Sequence, residues 1–279
     1  MNPVVSFYEE HPINEREILA KLEQAGKDPD RLVPEDLFPY DQDHYGGLEA
    51  TDALVESLNL SPATHLLDIC SGLGGPSRYL AWRHGCRVTG VDLTVPRVEG
   101  ATRLTERVGL QNRVTFMQGD AMAMEFPEGA FDAAIAQEAF LHIPDKPALL
   151  AGCHRSLKPG GRLAFTDWKA DESLSAQDRE YLRKGITALD IATEGDYKAH
   201  LTGAGFEDIQ CEDISAWWRD VLKERLEMFK SLESETVAQF GRARHEAYIG
   251  AYTFFVDVID NGRLGGGRFT AAKPSSSEN

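Results

Sequence analysis

The chain has 279 residues, 42% of them hydrophobic and 27% charged, with a net charge of −16 at pH 7, an ordinary globular composition with enough apolar material for a sizeable core. That charge repels a phosphate backbone and no cluster of Lys and Arg breaks it, which argues against nucleic acid as a partner. No apolar run approaches the roughly 18 residues of a membrane span. The N-terminal stretch is polar and acidic where a secretory leader needs an apolar run, so a cytoplasmic protein without membrane contact is expected.

Residues 1–60 precede any strand pattern. They show helical periodicity over 14–25 and run into DLFPYDQDHYGG (36–47), read as a cap over a ligand mouth. From residue 65 onward, apolar runs of strand length alternate with helical segments, which predicts an α/β fold with a parallel sheet and a core over 61–170. Strands are expected at 65–70 (HLLDIC), 87–93 (RVTGVDL), 113–118 (RVTFMQ), 131–137 (FDAAIAQ) and 162–168. A glycine-rich turn at 71–75 leads into a helix that Pro76 opens, 96–108 and 146–157 read as further helices, and Lys158-Pro-Gly-Gly161 is a turn that stops the second of these.

Beyond the fifth strand the rhythm changes. Residues 171–206 are polar, largely helical and strandless, and suit a lid. The segment 207–273 is expected to complete the sheet, with a strand at 207–214, an amphipathic helical stretch at 217–240 and an edge strand at 267–273 (GRFTAAK). Residues 274–279 read as a disordered tail. Cys70, Cys86, Cys153 and Cys211 lack C-x-x-C spacing, so neither a metal site nor a disulfide framework is expected.

Gly72-Leu-Gly74-Gly75 alone identifies only a nucleotide-binding turn. A dinucleotide fingerprint needs a third glycine where Ser77 stands, and a P-loop needs a Lys that is missing. Asp68, four residues before Gly72, opposes a pyrophosphate but favours a ligand bearing a sulfonium and an ammonium. S-adenosylmethionine carries both. Asp92, ending the second strand, can accept both ribose hydroxyl protons, and Asp120, after the third, can accept from an exocyclic amine. Each aspartate alone is also an ordinary turn former or helix cap.

The segments LLDICSGLGGPSRYLA, VTGVDLT, FMQGDA and LKPGGRLAFTDW resemble the successive motifs of class I S-adenosylmethionine-dependent methyltransferases. GGLEATDAL and QEAFLHIPDK resemble the sarcosine and dimethylglycine methyltransferases and the phosphoethanolamine methyltransferases. The resemblance implies a Rossmann-like seven-stranded sheet whose last strand is antiparallel, with an N-terminal cap and a helical lid insertion. It implies cofactor contacts from Asp68, Gly72, Gly74, Asp92, Leu93, Asp120, Ala121 and Gln137, with Tyr45 and Gly46 closing over them. It also implies that His142 pairs with a tyrosine, for which Tyr8, Tyr40 and Tyr45 are candidates, and that Tyr40, Glu138, His142 and Trp168 meet the substrate. Arg179, Arg183 and Lys184 cannot be matched to the basic residues that clamp a phosphate in those relatives.

Methyl transfer from a sulfonium is an in-line displacement, so the protein mainly aligns the reactants and excludes water. An amine must be neutral to attack, which gives His142 a task as proton acceptor; otherwise it is a structural histidine between Leu141 and Ile143. Glu138 can offset developing positive charge or merely cap a turn. Trp168 can offer its face to an ammonium, while Trp217 and Trp218 read rather as core packing. The expected partner is a small polar methyl acceptor, with glycine-, sarcosine-, dimethylglycine- or ethanolamine-like amines foremost. Oxygen, sulfur and carbon acceptors, a nicotinamide oxidoreductase and a non-catalytic cofactor sensor are the alternatives.

Overall fold

The structure, a computed structural model, describes residues 2–9, 11 and 13–275. Residues 276–279 of the expected tail lie outside the described residues. The elements begin with α1 (Pro3–Glu9), α2 (Glu15–Gln24), α3 (Pro34–Leu37) and α4 (Gly47–Val55). Then β1 (His65–Ile69), α5 (Gly75–His84), β2 (Arg87–Asp92), α6 (Val95–Arg107), β3 (Val114–Gln118), β4 (Phe131–Gln137), α7 (Lys146–Ser156) and β5 (Leu157–Ala170) alternate as the sequence pattern predicts. The chain ends with α8 (Ala176–Ile186), α9 (Glu194–Gly203), β6 (Glu207–Asp213), α10 (Ser215–Ser231), α11 (Glu233–Phe240), α12 (Arg242–Asp260) and β7 (Leu264–Ala272).

One seven-stranded sheet has the order β3-β2-β1-β4-β5-β7-β6. β1 pairs in parallel with both β2 and β4, so the strand order reverses there and a crevice opens beyond their carboxyl ends, where open α/β sheets bind ligands. β7 runs antiparallel to β5 and β6. It is therefore an inner strand and not the edge strand that its short polar-flanked pattern suggests; the edges are β3 and β6. Three consecutive glycines open β7. A Cβ on Gly266 would lie 2.6 Å from the Trp218 ring, so the glycine lets α10 press directly onto the strand, with Ile214 N–H donating to the Gly266 carbonyl.

The helix α7 does stop before Lys158, but Leu157 already pairs with Phe131. Lys158–Gly161 is thus the irregular start of β5, and a register shift between Phe131 and Ala133 absorbs it. The stretch expected as a lid divides in two. α9 buries Tyr197 and Leu201 in the core formed by Leu150, Phe165 and Phe269, whereas α8 lends Tyr181 and Lys184 to the wall of the central cavity. A second roof is formed by α10 and α12, inserted between β6 and β7. Among the described residues no helix is long and apolar enough to cross a membrane.

Candidate active site

β1 delivers Asp68 to the crevice, and the following turn reverses within five residues because Gly72 and Gly74 adopt positive φ (54° and 76°). α5 then starts at Gly75, with Pro76 in its first turn. Gly75 is required for a different reason: a Cβ there would sit 2.1 Å from the carbonyl oxygen of Asp41, so the cap lies in contact with the loop.

Asp92 accepts from the backbone N–H of Gly72 (2.9 Å) and of Thr94 (2.8 Å), which aims its carboxylate across the mouth of the loop. Asp120 caps a short 3-10 turn by accepting from Met122 N–H (2.9 Å). Asp68 is almost fully buried and accepts from Ser77 Oγ at 2.5 Å. Burial, abetted by the like charge of Asp92, lifts its pKa to about 7. A cationic ligand group would offset that desolvation, so the donor set suits an ammonium.

Residues 41–45 form a strap tied to the surrounding elements along its whole length. Asp41 and Arg78 make a fully buried ion pair (2.9 Å), and Arg78 also donates to Ala101 O and Thr105 Oγ1. Asp43 pairs with Arg97 (2.8 Å). The carbonyl of His44 accepts from Arg225 of α10 (3.0 Å), whose guanidinium lies 4.8 Å from the centre of the Tyr45 ring. Tyr45 N–H donates to Glu138 Oε2 (2.6 Å), while Thr166 Oγ1 donates to Oε1 (2.9 Å). Glu138 itself has a positive φ (47°), which turns its carboxyl back toward the strap, and burial raises its pKa to about 8.

His142 lies on a 3-10 turn just beyond β4. Its Nδ1 is 2.9 Å from the carbonyl of Thr187, which can only accept, so Nδ1 carries the proton. Nε2 is left as the acceptor, and the hydroxyl of Tyr8 from α1 donates to it at 2.9 Å. Burial holds the imidazole neutral, its pKa lowered to about 4, and pushes the Tyr8 phenol up. The Arg97 guanidinium lies 4.4 Å from the centre of the Tyr8 ring and fixes it from the other side.

A continuous cavity of about 1750 Å³ contains nearly all of these groups. Tyr45, Asp68, Gly72, Asp92, Leu93, Asp120, Ala121, Gln137, Glu138, His142 and Trp168, all singled out in the sequence, line it. Three do not. Gly46 and Gly74 pack instead against the rings of Trp217 and Phe116. Tyr40 joins Ile18, Leu37 and Leu104 in the seam between α2 and α6, since Asp41 beside it turns inward to Arg78. The residue that reaches His142 is Tyr8, and neither the Arg97–Asp43 pair nor Arg225 carries a signal in the sequence. Among the described residues, no group of three His, Cys, Asp or Glu side chains is placed to hold a metal ion.

Residues 67–165 match the methyltransferase domain family. Over 209 residues the chain is 32% identical to phosphoethanolamine N-methyltransferase 1 of Arabidopsis thaliana, covering 74% of this chain and 42% of that protein. The chain therefore spans less than half the length of that plant relative. It is also 32% identical to the 27-O-demethylrifamycin SV methyltransferase of Amycolatopsis mediterranei, covering 80% of this chain and 82% of that one. In fold it is similar to phosphoethanolamine N-methyltransferase 2 of Haemonchus contortus, solved with phosphomonomethylethanolamine and S-adenosylhomocysteine. The TM-score is 0.81 at 22% identity, over 99% of this chain and 61% of that one.

Proposed function

This chain belongs to the S-adenosylmethionine-dependent methyltransferases, and on that premise we propose that it transfers a methyl group to the amine nitrogen of a small molecule held between Tyr8, Glu138, His142 and Trp168. The observation that carries this reading is the Tyr8–His142 hydrogen bond at the end of β4, with the tautomer locked by Thr187.

Asp92 would hold the ribose hydroxyls, Asp120 the adenine amine and Asp68 the ammonium of the cofactor, with the Gly72 backbone allowing close approach. When bound, the cofactor supplies an electrophilic methyl: the nitrogen lone pair forms the new N–C bond as the S–C bond breaks, and that electron pair stays on sulfur. Because Tyr8 donates its proton to Nε2, the phenolic oxygen presents its lone pairs to the cavity. A protonated amine gives its proton to that oxygen as the proton of Tyr8 passes to Nε2, leaving the nitrogen free to attack. Burial disfavours the imidazolium, so the pair orients a proton-bearing head group better than it stores the proton. Glu138, tying down the strap, also places a carboxyl group beside the developing ammonium charge.

The test is S-adenosylhomocysteine release, followed by mass spectrometry, with sarcosine, dimethylglycine, phosphoethanolamine and simple tertiary amines supplied one at a time. Amine turnover that is lost in His142→Ala supports the reading. Product methylated on oxygen with no amine reacting would overturn it, in the direction of the rifamycin relative, which matches over most of its length.

A further inference from the structure

We propose that the methyl acceptor is an amine carrying a bulky apolar body, lodged in a chamber between α1, α8, α10 and α12. This rests on the amine reading above and extends it. Ordinary ligand pockets measure roughly 300–1000 Å³. A cavity of about 1750 Å³ therefore accommodates a nucleoside-sized cofactor and, beside it, a second ligand of full pocket size, much larger than dimethylglycine.

One side of the chamber carries a row of aromatic rings from α10 and α12 that runs from the solvent side toward the reacting end, with Arg225 beside Tyr45 at its inner end. Met228 on α10 is 45% exposed and opens the run. Behind it, Phe229 stacks on Tyr248 (5.2 Å between centroids) and contacts Tyr252 (5.1 Å); Tyr252 meets Phe255 (5.9 Å), and Phe255 meets Trp168 (5.9 Å). Trp168 packs edge-on against Tyr45 of the strap. On the opposite side, Phe7 neighbours both Tyr8 and His142 (5.1 and 6.4 Å). Tyr181 of α8, 43% exposed, lines the same cavity, so two of the six exposed large hydrophobic residues among the described residues stand in this wall. Both side chains line the mouth of one cavity, so their exposed apolar surface is available to a ligand lodged there. The exposed charged residues that line the cavity, among them Lys184, Glu235 and Glu246, are of mixed sign, which does not suit a polyanionic body.

The experiment compares N,N-dimethyl-n-alkylamines from ethyl to decyl as acceptors. Independently of turnover, it titrates ethyl- and decyl-trimethylammonium into the protein saturated with S-adenosylhomocysteine, by calorimetry below micellar concentrations. Each methylene that leaves water for the chamber raises kcat/KM and affinity by about fourfold. In Met228→Glu and in Ala251→Trp, the latter placing a ring in the cavity from its α12 wall, the decyl-to-ethyl ratio falls toward one. If short amines react and the ratio is flat in the wild-type protein, the chamber proposal is overturned while the amine reading stands. If no amine reacts yet decyl-trimethylammonium binds tighter in a manner sensitive to both variants, the chamber stands and the amine reading falls. Tighter binding that neither variant alters is nonspecific and overturns the chamber.

Discussion

The two walls of the cavity are built by opposite means. The wall at the carboxyl ends of β1, β2 and β3 is made of backbone: Asp92 is fixed by two N–H groups, Asp120 by one, and Gly75 lies against the Asp41 carbonyl with no room for a methyl group. The wall from α1, α10 and α12 is made of side chains, a row of aromatic rings on helices joined to the sheet chiefly through the α10–β7 contact. Backbone geometry tolerates few sequences and holds one ligand shape; a side-chain wall can be rebuilt one residue at a time without unfolding the sheet. The difference teaches where to look for cofactor binding and where for acceptor choice.

The largest effect on binding should come from the backbone wall. Asp92→Ala removes two charge-assisted hydrogen bonds from the loop, and S-adenosylhomocysteine affinity by calorimetry should fall about 100- to 1000-fold. A loss below tenfold with the fold intact would mean that the loop is held some other way. Where the two walls meet, His142→Ala and Tyr8→Phe should each lower amine kcat by roughly 100- to 10,000-fold and leave cofactor affinity within about twofold. The double variant should be little worse than either single one, since the pair acts as a unit. Additive losses would separate them.

A smaller effect tests whether the strap belongs with the backbone wall. Gly75→Ala should cost about 1–3 kcal/mol in chemical denaturation and speed protease cleavage in the 36–47 segment. Unchanged cleavage would show that the strap is held by its ion pairs alone.

The smallest effect is a pH dependence. Asp68 and Glu138 have folded-state pKa values of about 7 and 8, above their ordinary 3.8 and 4.5. Their protonated forms therefore contribute stability that is fully present below about pH 4 and is lost as pH rises through 7 and 8. Thermal unfolding of the ligand-free protein should drop by a few degrees between pH 6 and 9. Asp68→Asn should flatten the lower part of that drop and Glu138→Gln the upper. A profile unaltered by either substitution would show that these carboxyl groups are not buried as described.

Much of the backbone wall was legible in advance because its signals are short-range. Asp68, Gly72 and Asp92 lie within 25 residues, and the strand-turn-helix pattern that carries them is read from periodicity and glycine position. The side-chain wall was not. Tyr8 and His142 are 134 positions apart, and Tyr40, the nearest tyrosine to the strap motif on its N-terminal side, packs elsewhere. Nothing in local pattern distinguishes a tyrosine that reaches a histidine from one that fills a hydrophobic seam.

By itself the sequence determined the α/β class, the order of the first five strands and the aspartates at their ends, since each follows from apolar period and turn chemistry within one supersecondary unit. Only the tertiary structure decided that β7 lies inside the sheet, that the strap is bound by Arg78, Arg97, Arg225 and Glu138, and that His142 meets Tyr8 across the cavity. Those outcomes depend on which distant segments meet: the strap and α1 against α5, α6 and the end of β4, and α10 against the strap and β7. That meeting is set by packing among distant residues, and no local pattern encodes it.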